Sequence, residues 1–240
     1  MWNCPPSNIL VPVDFGEASA RAVTVAAAVA ARTGARVRLL HAESIEAPPN
    51  ITHEQIESLE KQRRSARAHA QRYLAAFGRA HGLPNAEVVL QEGSPLSVIV
   101  EGARGVDLVI MGTHGRRGAS RWWLGSVAER VVHESRTPVL VVRADSTATP
   151  EAMFQSPLLV TSPGLPDGAG RRIAEGLAGA FDGHVAAEAA ACEADLARER
   201  QASLIVVSRG EPGTGIATTN ERWLRSCSLP MLFVPETLGV

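Results

Sequence analysis

A glycine-rich segment near the middle of the chain has the residue types and spacing of an anion-binding loop. It contains Gly112, Gly115 and Gly125, it follows an apolar run, and it leads into a helix-forming segment. Glycine lets the main chain approach a ligand closely, and consecutive N–H groups at a helix N-terminus can converge on a phosphate. The hydroxyl group of Ser126 and the guanidinium group of Arg116 would supply further donors.

The spacing differs from the two best-known phosphate-binding glycine motifs. The segment contains no Gly-Lys-Ser/Thr sequence and therefore is not a P-loop, and its glycines do not follow the Gly-x-Gly-x-x-Gly spacing of dinucleotide-binding folds. Taken alone, the spacing is also compatible with an ordinary surface loop. The elements on either side must therefore decide between the two interpretations.

Five apolar runs alternate with helix-forming segments over the first part of the chain. Continuous rather than alternating apolar runs are typical of strands buried on both faces, so the pattern predicts an α/β fold with a parallel sheet between helices. Ligands in such sheets bind beyond the carboxyl ends of the strands. The predicted strands are 9–13, 37–41, 87–91, 107–111 and 138–142, and the predicted helices are 17–33, 53–81, a helix from Pro95 capped by Ser94, and 127–135.

The same pattern begins again after a linker rich in Ser, Thr and Pro. Predicted strands at 157–161, 203–207 and 230–234 and a helix at 168–181 match the first, fourth and fifth strands and the first helix. The second copy lacks about one strand and the long helix, which agrees with a length of 240 residues, about one and a half domains of ~150 residues. We predict two tandem Rossmann-like sheets, in domains 1–145 and 156–240 with a linker at 146–155.

Composition excludes several classes of partner. The 24 Lys and Arg residues nearly balance the 25 Asp and Glu residues, which argues against broad electrostatic binding of nucleic acid or an acidic membrane. The longest apolar run, 22–31, is about half of the ~20 residues that a bilayer span needs. The chain contains three cysteines, which lie far apart in the sequence: Cys4, Cys192 and Cys227. This odd number and wide spacing predict neither a disulfide framework nor a zinc site. No signal peptide is recognisable, so we expect a cytoplasmic protein.

Several motifs, in order and at matching separations, resemble the universal stress protein family. They are the start Ile9-Leu10-Val11-Pro12-Val13-Asp14, the end of the second strand Leu40-His41-Ala42, the glycine skeleton from Gly112 to Ser126, and the closing strand with its approach, Ser135 to Val142. The resemblance covers residues 1–145 completely and 156–240 in eroded form. It implies strand order 3-2-1-4-5 in the first domain and an ATP-binding stress-response or regulatory function.

The resemblance also implies the location of the nucleotide site. Asp14 would lie at the nucleoside end, Ala42 would contact adenine, and the glycines with Ser126 would hold ribose and phosphates. Mg²⁺ or Mn²⁺ would be carried by the phosphates, with no metal ligand assigned to the protein. The complete set of expected cofactor-binding residues is Pro12, Val13, Asp14, Ala42, Met111, Gly112, Gly115, Arg116, Gly125, Ser126 and Val127.

The second copy departs from the pattern, which predicts one site per chain. Ser208 and Glu211 stand where the first copy has Gly112 and Gly115, and no aspartate follows the first strand of the second copy. Members of the family commonly dimerise through their fifth strands. We therefore expect 139–143 to pair with 231–235 in the same chain, so that the second domain acts as an intramolecular pseudo-dimer partner, and further homodimerisation stays open.

Two other functions stay open at this point. The chain could be an interaction module that binds no nucleotide, since half of it lacks the glycine motif. It could also be an enzyme related to the adenylating ligases, although those usually carry a glycine-serine loop directly after the first strand, where this chain has Asp14-Phe15-Gly16-Glu17. We assign no catalytic residue, because no arginine finger or water-activating base can be placed, and we expect at most weak ATPase activity.

Overall fold

Helices and strands alternate along most of the chain in the computed structural model, which describes residues 4–43, 53–113, 125–146, 148–160, 168–189, 197, 199–209 and 229–235. The strands are β1 (Asn8–Pro12), β2 (Arg36–Glu43), β3 (Glu87–Glu92), β4 (Leu108–Thr113), β5 (Val139–Arg143), β6 (Pro157–Val160), β7 (Ala187–Ala189), β8 (Leu204–Arg209) and β9 (Met231–Pro235). The helices are α1 (Glu17–Thr33), α2 (His53–Ala80), α3 (Pro95–Gly102), α4 (Ser126–Glu134), α5 (Pro150–Met153) and α6 (Gly168–Ala180).

The strands form one continuous sheet. Its order is β3-β2-β1-β4-β5-β9-β8-β6-β7, so the first five strands follow the predicted order 3-2-1-4-5. Neighbouring described strands run parallel except β5 and β9, which run antiparallel. The expectation of two separate sheets was therefore wrong: hydrogen bonding between β5 and β9 merges the strands of both halves into a single sheet. The strand β7 was not predicted.

The β5–β9 junction pairs the two segments that the sequence predicts to pair. Leu140 lies opposite Leu232, Val139 opposite Phe233, and Val141 opposite Met231. All the residues of this antiparallel register are at least 99% buried. The junction is therefore an interior part of the sheet, not a contact between two edges at the surface.

Helices cover both faces of the sheet. Helices α1, α2 and α6 pack on one face with Met153 and Phe154, and α3 and α4 pack on the other. Each apolar cluster includes residues from strands on both sides of the junction. Burial on both faces explains why the strands are continuous apolar runs. Within the described ranges, no helix combines the length and the apolar character that a membrane crossing requires.

Local signals account for where the helices around the sheet begin and end. Helix α1 ends at Gly34, whose φ of 73° is the left-handed conformation that glycine adopts without steric cost. Helix α3 begins after Ser94, whose hydroxyl accepts a hydrogen bond from the Ser97 N–H, with Pro95 at the first helical position. Both features were predicted from the sequence and are confirmed.

The segment predicted as a linker contains the short helix α5. Thr149 caps it by accepting a hydrogen bond from the Ala152 N–H. Met153 and Phe154 are fully buried, and the Phe154 ring stacks on Phe181 with 4.7 Å between centroids. This part of the chain is therefore packed into the core.

A helix crosses a strand at close distance in both halves of the chain. The glycine that permits the close approach lies on the strand in the first half and on the helix in the second. A Cβ atom on Gly112 of β4 would overlap the main chain of α1 at Ala18, so only glycine fits there. At the corresponding crossing, β8 carries Ser208, and the glycine lies on the helix instead: a Cβ on Gly170 of α6 would lie 2.5 Å from the Ser208 Oγ atom. The Ser208 Oγ atom is buried and has no hydrogen-bond partner among the residues that the structure describes.

The second crossing makes a prediction about a pair of substitutions. Gly170→Ala gains up to ~1 kcal/mol of helix propensity, but overpacking against Ser208 should cost about 1–3 kcal/mol. We expect a net loss of stability in urea unfolding. Ser208→Ala alone removes a buried hydroxyl that has no partner among the described residues and should be neutral or stabilising. In that background Gly170→Ala should cost clearly less, because only the Leu159 side chain, 3.2 Å from the added Cβ atom, still has to move. Equal effects of Gly170→Ala in both backgrounds would contradict the contact with Ser208.

Candidate functional site

A cavity of about 810 Å³ opens at the carboxyl ends of β1, β2 and β4. Its size is within the range of small-molecule sites, and its position is the edge at which parallel sheets bind ligands. Its described lining consists of Pro12, Val13, Asp14, Ser19, Leu40, His41, Ala42, Pro95, Ile99, Met111, Gly112, Thr113, Gly125, Ser126, Val127, Ala128, Glu129 and Arg130.

The structure brings nine of the eleven sequence-predicted site residues together in this cavity. The other two, Gly115 and Arg116, lie outside the described residues. The sequence missed the other lining residues, which are Ser19, Leu40, His41, Pro95, Ile99, Thr113, Ala128, Glu129 and Arg130. A signal for Thr113 was available, because it directly follows a predicted glycine at a strand end, where a side chain can reach the next helix.

The N-terminus of α4 forms one wall of the cavity. The Gly125 N–H donates to the Thr113 Oγ1 atom at 2.9 Å, which anchors the start of the helix to the end of β4. Thr113 is only 2% exposed. The N–H groups of Ser126, Val127 and Ala128 belong to the first turn, where an α-helix provides no intrahelical acceptor. These donors, together with the helix dipole, make this wall suitable for an anion.

The two described glycines of the motif have different reasons to be glycine. Gly112 is required by the packing of α1 on β4, as described above. At Gly125 a Cβ atom would lie 3.5 Å from the Thr113 Oγ1 atom, an ordinary van der Waals distance, and its φ is −59°. The described residues therefore leave room for a side chain at Gly125, and close approach of a ligand is a reason for glycine there that packing among these residues does not provide.

Asp14 follows β1 at the opposite side of the cavity. Its Oδ1 atom accepts a hydrogen bond from the Gly16 N–H at 2.9 Å, and its side chain is exposed. This bond spans Phe15, whose φ of 64° is unusual for a bulky aromatic residue. The carboxylate is therefore held at the start of α1 by a tight turn, with the residue exposed at the cavity.

The end of β2 differs slightly from the sequence expectation. Ala42 was expected just after the second strand, but β2 continues to Glu43, so Ala42 lies within the strand and pairs with Gln91. It is half-buried and still lines the cavity. Next to it, the His41 Nδ1 atom lies 2.7 Å from the Val13 carbonyl oxygen.

The charges on the described lining nearly cancel. Asp14 and Glu129 are acidic, and Arg130 is basic and lies 3.5 Å from Glu134 in an exposed ion pair. Exposed pairs of this kind contribute little to stability. In the part of the chain that the structure describes, no three His, Cys, Asp or Glu side chains come together as a candidate metal site.

Comparison with known proteins identifies the family of the chain and agrees with its fold. The model of the "Universal stress protein family" matches residues 6–143. A universal stress protein of Thermus aquaticus is 35% identical over 138 residues, which cover 57% of this chain and 98% of the relative. A universal stress protein of Mycobacterium tuberculosis is 30% identical over 139 residues, which cover 56% of this chain and 45% of the relative. The chain belongs to the universal stress protein family.

Several solved structures match both halves of the chain. The crystal structure of a universal stress protein from Archaeoglobus fulgidus superposes with a TM-score of 0.67, covering 96% of this chain and 99% of that one. Its sequence identity is 17%, so the likeness concerns the fold alone. It extends through the second half of the chain, beyond the residues matched by the family model.

The anchoring of α4 makes a prediction about Thr113. Thr113→Val keeps the shape but removes the acceptor of the half-buried Gly125 N–H, and the loss of this hydrogen bond should cost about 0.5–1.5 kcal/mol of stability. The Gly125 amide should then exchange with solvent about two- to tenfold faster, because each 1.4 kcal/mol is a factor of ten. Thr113→Ser, which keeps the hydroxyl, is the control and should leave this amide protected. Equal protection in Thr113→Val and the wild type would contradict the anchoring role.

Proposed function

We propose that this chain is an ATP-binding stress-response protein with one nucleotide site, in its first half. The proposal depends on one observation: the first-turn amides of α4 and the carboxyl ends of β1 and β2 open into the same cavity. That arrangement offers donors to an anion at one end and mainly apolar walls to a nucleoside at the other.

The cavity suggests an orientation for the nucleotide. The adenine would lie beside Ala42 at the end of β2, and Asp14 would accept hydrogen bonds from the ribose hydroxyls. The phosphates would extend to Ser126 and the first turn of α4. Gly115 and Arg116 would add phosphate contacts, as the sequence predicts.

A divalent cation fits this arrangement. A triphosphate carries several negative charges, whereas the described charges of the lining nearly cancel. In addition, the carboxylate of Glu129 in the first turn of α4 would repel a phosphate. Mg²⁺ or Mn²⁺ carried on the phosphates would offset that charge without a dedicated cluster of protein ligands. We assign no catalytic role to any residue and propose that ATP hydrolysis is at most slow.

The second half supports a single site, because side chains occupy the corresponding strand end. The register places Ser208 and Arg209 of β8 at the positions of Gly112 and Thr113 of β4. Ser208 is turned against Gly170. Arg209 is 4% exposed and donates a hydrogen bond to the carbonyl oxygen of Ser135, at the carboxyl end of α4. Ser208 therefore packs within the second half, and Arg209 connects that half to the first, so that side chains occupy the strand end where the first half has its cavity.

Arg209 makes that connection with a buried guanidinium group. Burial lowers the pKa of its guanidinium group to about 10, since desolvation disfavours the charged form. The cation lies at the C-terminal end of a helix, where the helix dipole favours positive charge. A buried cation of this kind is better explained by a fixed docking contact between the halves than by a surface role.

The symmetry of the junction supports the pseudo-dimer. Leu140 and Leu232 occupy equivalent positions in the two copies, and they are paired with each other. On either side, Val139 pairs with Phe233, the equivalent of Val141, and Val141 pairs with Met231, the equivalent of Val139. This is the register of a two-fold symmetric dimer interface, here within one chain. Because β9 covers the β5 edge, homodimerisation would have to use another surface.

A charge at the start of α4 tests the phosphate site. Ser126→Asp should keep or raise the stability of the nucleotide-free protein by ~0.3–1 kcal/mol, because a carboxylate in the first turn favours the helix dipole. The same charge should repel phosphate and weaken ATP binding by at least about tenfold. Thermal unfolding with and without Mg-ATP measures both, because a ligand that binds the native state raises the melting temperature.

The control for this charge is Ser126→Asn, which has nearly the same shape and should keep most of the ATP-induced shift. An undiminished shift in Ser126→Asp would place the phosphates elsewhere. No shift of the wild type with ATP, ADP or AMP would reject the proposed function and favour an interaction module without nucleotide.

The pseudo-dimer has its own test in amide hydrogen exchange. Both strands of the junction are interior strands of one sheet, so amides in 139–143 and 231–235 should exchange only through global unfolding. Their exchange should also respond equally to urea. Fast exchange in both segments of the full chain would show that β9 does not cover β5 in solution.

A further inference from the structure

A cluster of aromatic rings packs around Phe15, directly after the site residue Asp14. The Phe15 ring centroid lies 4.7 Å from that of His41 on β2, and 4.8 Å and 5.6 Å from those of Tyr73 and Phe77 on α2. Phe77 in turn contacts His81 at 4.5 Å. The turn at the cavity is thereby connected to the long helix α2.

The backbone of Phe15 needs such support. Its φ of 64° is a left-handed conformation that aromatic residues rarely adopt, and residues held in this way persist where the surrounding structure determines them. Tilted and edge-to-face ring contacts at these distances are favourable. The three rings therefore hold a turn that the Phe15 backbone alone would not prefer.

The same turn fixes the Asp14 carboxylate. The hydrogen bond from the Gly16 N–H to the Asp14 Oδ1 atom spans Phe15, so its geometry depends on the backbone conformation of Phe15, which is left-handed here. His41 contributes on both sides: its ring packs on Phe15, and its Nδ1 atom lies 2.7 Å from the carbonyl oxygen of Val13, the residue before Asp14. Both ends of the Asp14 segment are thus fixed by the cluster.

We propose that Phe15 is a positioning residue that, through its contacts with His41 and α2, orients the Asp14 carboxylate toward the ribose hydroxyls of the nucleotide. This inference rests on the proposed function. It assigns to α2 a part in ligand selectivity, although the described lining of the cavity includes no residue of that helix.

The test uses Phe15→Gly, which tolerates the left-handed φ but removes the ring. Its affinity for ATP should fall about tenfold, the size expected from losing two or more ring contacts. Its affinity for dideoxy-ATP, which lacks both ribose hydroxyls, should change by less than about twofold. In an Asp14→Ala background, Phe15→Gly should have no further effect on ATP binding, because both variants remove the same interaction.

Two controls separate positioning from general loosening. Phe15→Tyr keeps the ring and should retain the wild-type discrimination between ATP and dideoxy-ATP. Phe181→Leu removes the stacked ring pair with Phe154, remote from the cavity, and should lower stability without changing that discrimination. Equal losses of ATP and dideoxy-ATP binding in Phe15→Gly, or additive losses with Asp14→Ala, would overturn the proposal.

A readout without nucleotide separates this proposal from the proposed function. The Gly16 amide should exchange at least about tenfold faster in Phe15→Gly than in the wild type or Phe15→Tyr. Unchanged exchange would show that the ring does not hold the turn, even if ATP binds. A wild type that binds no nucleotide would reject the proposed function and the assigned role toward ribose, whatever the Gly16 amide does.

Discussion

The candidate site depends on where α4 begins. The hydrogen bond from the Gly125 N–H to the buried Thr113 Oγ1 atom ties the first turn of α4 to the end of β4. At the neighbouring position, Gly112 lets α1 cross β4 in main-chain contact, which brings the start of α1 to the same edge. Two helix starts and the strand ends then surround one cavity.

The second half of the chain extends the sheet and has changed its strand ends. A β5 edge would present unpaired N–H and C=O groups, a template for association with other chains. Pairing with β9 satisfies this edge within the chain. At the strand end where the first half has Gly112 and Thr113, the second half has Ser208 and Arg209, whose side chains pack against α6 and reach α4. The same architecture thus supports a ligand site in one half and docking in the other.

Short-range signals predicted most of the elements. Helix α1 was predicted at its observed limits because Gly34 marks its end, and α3 was predicted from Ser94 and Pro95. The order of the first five strands followed from the family resemblance, and nine of the residues predicted to bind a cofactor line the cavity. The continuous sheet was predicted only in part. Pairing of β5 with β9 was expected, but the strands were assigned to two tandem sheets, whereas this pairing joins them into one.

Other features could not be predicted because they depend on packing. Nothing local shows that Gly112 serves the crossing of α1, or that the glycine of the second crossing lies on α6 at Gly170. The left-handed conformation of Phe15 could not be predicted from the sequence either, since it is supported by rings from β2 and α2. Similarly, Met153 and Phe154 looked like linker residues, but they are core residues once α6 supplies Phe181.

The number of ATP molecules bound per chain tests the central claim most directly. Calorimetric titration of Mg-ATP into the nucleotide-free full chain should give one site per chain, and amide exchange should slow at the start of α4 and not at the end of β8. Two equivalent sites per chain, or no binding at all, would contradict the assignment of a single nucleotide site to the first half.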